Sequence, residues 1–348
     1  MIELIPKERI KIAVKRMLSN VFDLAGGFRM ARLISSPCII IIAYHRIISH
    51  DENAINSYIS VDITKLGKQI EFFKKYFTVI SLEEAIRLFK TNTIDKQYLV
   101  MTFDDGYKDN YSLGLDTFIE HKVQPAIFVT TDCIENQTML WPDVVRNIIY
   151  NAKITTEVLL DVPGITVRGS SRSKISGFKI IANFMKTLNN DDRNSYIDKL
   201  EILFGKRSPN DRLMLNWDEI STLHENGISI GSHTVCHPVL SALSEEAVIT
   251  ELTASKEVIE KELGIPVRFF AYPNGTCHDF NDQIVSHVKS AGYEAAVTTI
   301  RGVNKDNCDL FRLRRTGIYL TDSIPVIKAK IVYESFFCGG TSRNEPRS

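Results

Sequence analysis

Cysteine, net charge and long apolar runs are all scarce in this chain, and each scarcity removes a class of protein. The six cysteines (Cys38, Cys133, Cys236, Cys277, Cys308 and Cys338) are scattered over 348 residues without a C-x-x-C pair. That spacing excludes a dense disulfide scaffold and leaves reduced thiols as the expected state. The 42 basic and 42 acidic side chains cancel, so no global field draws the chain toward nucleic acid, and no nucleic-acid partner is expected. The longest apolar run, residues 38–44, is far shorter than the about 20 residues that a membrane-spanning helix needs. The N-terminus is basic (Lys7, Arg9, Lys11, Lys15, Arg16), but no uninterrupted apolar stretch follows it. This argues against a cleavable secretory signal and makes a cytoplasmic protein the expectation.

What is present is the material of an ordinary folded α/β protein. Hydrophobic residues make up 44% of the chain and charged ones 24%, enough for one large domain or two smaller ones. Short β-branched or aromatic runs at residues 38–45, 98–104, 125–131, 228–233, 267–273, 295–299 and 313–318 read as buried strands. Helical periodicity falls between them, at 64–76, 244–263 and 279–291. In the second of these helices Val248, Leu252, Ile259 and Leu263 share a face, Ser244 is placed to cap the start, and Gly264 and Pro266 stop the end. Strands alternating with helices predict βαβ units and a mainly parallel sheet, closed or open, with its site at the carboxyl ends of the strands.

Residues 150–216 break the rhythm, with polar patches at 168–174 and 189–193, and read as an insertion. The expected organisation is a basic helical segment over 1–36, a catalytic domain over 37–320 and a C-terminal extension over 321–348 with a disordered tail after Gly340. In the N-terminal segment Ile10, Val14, Met17, Val21, Leu24 and Phe28 recur at helical spacing among the basic residues. The simpler expectation is that this stripe packs on the domain. The alternative is an amphipathic helix lying on a membrane surface, which would make the protein peripheral to the membrane.

Two segments carry candidate chemistry. Met101-Thr-Phe-Asp-Asp-Gly106 sets two carboxylates side by side where a strand ends. Adjacent strand residues point to opposite faces, so the chain must turn for both to serve one site, and Gly106 suits that turn. The same tripeptide also makes a plain structural turn. Gly231-Ser-His-Thr-Val-Cys-His-Pro238 presents His233 and His237 four residues apart, a spacing that places both imidazoles on one face of a helical turn. Two histidines and one carboxylate form a three-ligand zinc site with a position open for water. Cys236 lies between the histidines and reads as a packed thiol.

Thr102-Phe-Asp-Asp-Gly106, Ser232-His-Thr-Val-Cys-His-Pro238 and Phe270-Ala-Tyr-Pro-Asn-Gly275 resemble, in the same order, the first three motifs of the polysaccharide deacetylase family (NodB homology, carbohydrate esterase family four). Tyr44-His-Arg46 and Trp217-Asp-Glu219 resemble a branch of it associated with exopolysaccharide biosynthesis. The resemblance implies a distorted (β/α) barrel and a metal-dependent hydrolase that removes acetyl groups from an N-acetylated glycan or lipid-linked glycan. It implies one divalent metal, with zinc expected, bound by Asp105, His233 and His237. It implies Asp104 as general base, an oxyanion-binding backbone N–H at Tyr272 or nearby, and Pro273 and Asn274 beside the substrate.

Two departures from the family pattern stand out. An arginine that orients the base is matched here by Ala271, and Arg268 lies three residues too early to replace it. A histidine serving as general acid is missing from Leu313-Arg-Arg-Thr-Gly317. His45, at the end of the first strand, is the candidate acid, with His278 next. Trp141 is a candidate for stacking on a sugar ring, while Trp217 reads as a core anchor. The reading adopted is an N-deacetylase. An O-deacetylase is its close variant, and the rivals are a sugar-binding or assembly protein that lost turnover and an amidohydrolase of a small non-sugar amide.

Overall fold

The computed structural model describes residues 6–49, 59–152, 158–159, 166–167, 171–205 and 212–338. The tail after Gly340 and the polar residues 168–170 lie outside the described residues.

All seven runs read as strands are strands. They are β1 (Cys38–Tyr44), β3 (Gln97–Phe103), β4 (Ala126–Val129), β5 (Ser229–Ser232), β6 (Phe269–Ala271), β7 (Ala295–Val297) and β8 (Thr316–Gly317), with a short β2 (Thr78–Val79) beside β3. Every pairing in this sheet is parallel, in the order β7-β6-β5-β4-β3-β1-β8. Leu313 bridges in parallel to Val297 of β7, and four residues later Gly317 pairs with Ala43 of β1. The stretch from Leu313 to Gly317 therefore joins the two margins of the sheet and closes it as a distorted barrel.

Strand residues are buried on both faces, as a parallel sheet covered by helices requires. Ile40, Ile42, Leu99, Met101, Ile127 and Phe270 point outward into the main core with helices α3 (Ile63–Tyr76) and α9 (Glu245–Leu263). Ile39, Ile41, Val100, Phe128 and Phe269 point into the barrel, where they meet Leu82, Ile86 and Phe89 of α4 (Leu82–Thr91). Helix α4 thus plugs the amino-terminal mouth and leaves the carboxyl-terminal mouth for chemistry. As its sequence predicts, α9 begins on a Ser244 side-chain cap and ends at Gly264 with φ 67°.

The remaining helices are α1 (Pro6–Leu24), α2 (Gly27–Ile34), α5 (Trp141–Asn151), α6 (Ser171–Met185), α7 (Asn190–Phe204), α8 (Trp217–Glu225), α10 (Asp282–Ser290) and α11 (Ile324–Phe337), apart from three short turns of helix at 109–112, 114–120 and 131–135. Helices α5, α6 and α7 share an apolar core of their own around Val145, Ile149, Ile181, Met185 and Leu200.

Candidate active site

β3 ends at Phe103, and the Asp104 backbone N–H still donates to the Tyr44 carbonyl of β1 at 3.0 Å. Asp105 and Gly106 then adopt φ of 78° and 81°. This left-handed turn breaks the strand alternation, so both carboxylates interact with the same imidazoles. Gly106 is needed there for space as well as for conformation, because a Cβ would come within 3.2 Å of the Val129 side chain.

The two histidines follow β5 on an irregular loop, and the helical turn expected from their spacing is not there. Positive φ at Thr234 (71°) and His237 (54°) folds the loop back on itself and brings the rings to a centroid separation of 4.8 Å. Groups that sequence reasoning did not assign hold this loop. Buried Glu251 on α9 accepts from the Val235 and Cys236 backbone N–H groups at 2.8 and 3.0 Å. The Thr234 hydroxyl accepts from the His237 N–H at 3.0 Å, and the Trp141 indole donates to the His237 carbonyl at 3.2 Å.

His233 Nδ1 lies 2.7 Å from the Ala271 carbonyl. A carbonyl only accepts, so Nδ1 carries the proton and Nε2 offers a lone pair. Nε2 of His233 and Nε2 of His237 each lie 3.4 Å from Asp105 Oδ1, and the three ligand atoms lie within 4.8 Å of one another. With bonds of about 2.1 Å, neighbouring ligands of a tetrahedral ion stand roughly 3.4 Å apart. Two imidazole nitrogens and one carboxylate oxygen on such an edge fit a divalent transition metal. Burial pushes the Asp105 carboxyl up, but its interactions with His233, His237 and His45 outweigh that and hold the group well below the usual carboxylate range. Burial pushes the Cys236 thiol up to about 12, so it remains a protonated packed thiol.

The arginine that the motifs lack is present in space. Arg315, fully buried just before β8, donates to Asp104 Oδ1 and Oδ2 at 2.7 Å each. It also donates to the Thr298 carbonyl at 2.7 Å and to the Thr102 hydroxyl at 3.0 Å. Burial pushes Asp104 up, the Arg315 charge and hydrogen bonds pull it down further, and the net result is a lowered, ionised carboxylate. The motif position is Ala271, as the sequence reads, but the residue just before β8 supplies the guanidinium instead. One signal was readable. Residues 313–318 read as a buried strand, and an arginine buried in one needs hydrogen-bonding partners, though the sequence does not say which.

His45 is half-buried and interacts electrostatically with Asp104, Asp105 and His237. It therefore belongs to the same cluster. His278 is exposed, and its contacts are backbone ones, its carbonyl to Ser241 and its N–H to Thr276. The Tyr272 backbone N–H is already engaged with the Val297 carbonyl at 3.2 Å, in the β6–β7 ladder, so the expectation of a free oxyanion donor there is corrected. Its ring stacks on Phe280. Pro273 is buried, and Asn274 follows with φ 58° and a buried side-chain nitrogen that has no partner.

Trp141 is corrected as well. It is only 7% exposed and belongs to the core shared by α5, α6 and α7, with the Arg193 guanidinium 4.9 Å from its ring centroid. It braces His237 and has no open face for a sugar. Trp217 packs against the main core as expected, with its indole on Glu135. Arg46 is buried against Asp109 at 2.8 Å, and Glu219 forms a capping box with Asn216.

A parallel barrel with paired aspartates and paired histidines at its carboxyl-terminal mouth defines a hydrolase-type site. Residues 91–156 and 181–296 match the family profile described as polysaccharide deacetylase. The chain belongs to the polysaccharide deacetylase family. It is 25% identical over 104 residues to YxkH of Bacillus subtilis (strain 168), a match covering 30% of this chain and 36% of that protein, about a third of its length. Solved structures share the fold. The Streptococcus pyogenes deacetylase PplD has a TM-score of 0.56 at 20% identity, over 83% of this chain and 96% of that one. IcaB from Ammonifex degensii has a TM-score of 0.54 at 15% identity, over 85% and 97%.

Proposed function

We propose that this protein is a metal-dependent deacetylase that hydrolyses N-acetyl groups of a polysaccharide or lipid-linked glycan. The observation that carries the reading is the pairing of two separate carboxylate environments at one mouth: Asp105 among imidazoles, Asp104 clamped by Arg315. Family membership and a shared fold with named deacetylases support the same reading.

The chemistry that a divalent ion at Asp105, His233 and His237 would supply is polarisation of the acetyl carbonyl and acidification of a water, and zinc suits this donor set. Asp104 would accept a proton from the attacking water. Its two oxygens each accept one bond from Arg315, and their remaining lone pairs stay available for the water. Arg315 fixes the carboxylate plane and keeps it ionised, so the base is positioned before substrate arrives. His45 donates a proton to the departing amine. Asn274, with its buried unpartnered side-chain nitrogen, stands beside the substrate.

Arg315 also weakens the case for a sugar-binding protein without turnover, because of the two groups missing from the motifs, the arginine and the histidine, it supplies the first. O-deacetylation remains the close variant. The test is acetate release from N-acetylglucosamine oligomers by the zinc-loaded protein, with Asp104→Asn as the control. Release that is equally fast in the variant would sink the proposal.

A further inference from the structure

Helix α1 has two apolar stripes, and the domain uses only one of them. The inward side of α1, with buried Ser19 and half-buried Ile12 and Phe22, packs mainly along α11, and Phe22 reaches the main core, while Phe28 of α2 packs on Phe72 and Tyr76. The second stripe is Ile10, Val14, Met17, Val21 and Leu24, spaced four, three, four and three residues apart and 44% to 88% exposed. This is the stripe expected to pack on the domain, and it faces outward because the inward positions are one register removed. Leu33 and Ile34 of α2 extend the bare surface, at 81% and 72% exposure. Helix α11 runs alongside α1, with Asp322 at Lys15 and Lys328 at Asp23. Its last turn continues past the end of α1 with Tyr333 and Phe337 exposed. An apolar face of this extent on a folded domain marks a contact surface.

We infer that this face rests on an anionic lipid surface. Charge selects that occupant. Helices α1 and α2 hold seven Lys and Arg against two acidic residues, in a chain that is neutral overall. One of the two acids, Asp23, is neutralised by Lys328 at 2.8 Å. Lys11 and Arg29 are exposed beside the apolar residues. Among the described residues no helix is long and apolar enough to cross a membrane, so the contact is with the surface of a bilayer, an apolar stripe set in a basic field. A second copy of this chain fits less well. The stripe runs for less than three heptads, short for a coiled coil between two copies.

The test is sedimentation of the full chain with phosphatidylcholine vesicles, with and without phosphatidylglycerol, at low and high salt. The expected result is binding to the phosphatidylglycerol vesicles alone, weakened by salt. Lys11→Gln with Arg29→Gln weakens it by about fivefold per charge, about 25-fold together. Val14→Ser with Val21→Ser and Leu24→Ser abolishes it with little change in melting temperature, because these side chains are 44% to 88% exposed in the fold. Failure of the wild-type chain to bind phosphatidylglycerol vesicles, or unchanged binding by the serine variant, overturns the inference. So does a dimer in sedimentation equilibrium that the serine variant dissolves, which would give the face to a second copy.

Discussion

Arg315→Met removes a guanidinium that is completely buried and donates four hydrogen bonds, two of them to Asp104. Methionine fills much of the volume, so the dominant effect is electrostatic. Leaving one partner of a buried ion pair alone costs about 3–5 kcal/mol. For a domain of this size that corresponds to a fall in Tm of roughly 5–10 °C. The pH dependence has a definite sign. In the wild type the Asp104 carboxyl is lowered, so it contributes stability above its unfolded value of about 3.9 and loses it as pH falls through the folded value. In the variant burial is opposed only by the imidazoles, the carboxyl rises, and its ionised form costs stability near neutral pH. The difference in Tm between the two proteins is therefore largest near neutral pH and narrows in acid, as pH falls through the variant's raised value and then the wild type's lowered one. Turnover should fall by about 10²–10⁴-fold, the range for loss of a positioned base. Metal content should not change, because Arg315 touches none of the three candidate ligands. Scanning calorimetry across pH, with metal analysis and acetate release on the same preparation, reads all three. A variant with wild-type Tm and turnover at neutral pH would refute the clamp.

Asp104→Asn should keep the metal and lose turnover, whereas Asp105→Asn and His237→Ala should lose the metal; equal metal loss in all three, measured by elemental analysis, would undo the division of roles. His45→Gln should slow an N-acetyl substrate by about 10²–10⁴-fold and an ester with a good leaving group much less; equal losses on both would assign His45 to binding or folding. Glu251→Ala should weaken metal affinity by about 10- to 100-fold by freeing the Val235 and Cys236 N–H groups and loosening the histidine loop; chelator competition with unchanged affinity would show that the loop holds its own shape. Trp141→Phe should leave KM for glycan substrates unchanged, since the ring is buried, and a large rise in KM would restore a sugar-stacking role.

Much of the barrel was legible because its signals are local. Apolar runs such as Ile39 to Ala43 need no partner to be recognised, and the cap at Ser244 and stop at Gly264 are written within a few residues of the helix they bound. The four metal and base candidates were legible for a similar reason: short motifs place them at strand ends, where a parallel barrel gathers its chemistry. Arg315 was not legible as the orienting arginine, because it lies more than 200 residues from Asp104 and only barrel closure by the stretch from Leu313 to Gly317 brings them together. Trp141 read as a candidate for stacking on a sugar, and only its packing with residues of α6 and α7 shows the ring to be covered. The stripe on α1 has the same periodicity whether it faces a core or water, since spacing reports that a face exists and says nothing of where it points. What the sequence determined alone was the set of elements and the residue types at their ends. Which buried charge meets which, and which apolar face remains bare, was decided only by the tertiary structure, because both depend on contacts between segments far apart in the chain.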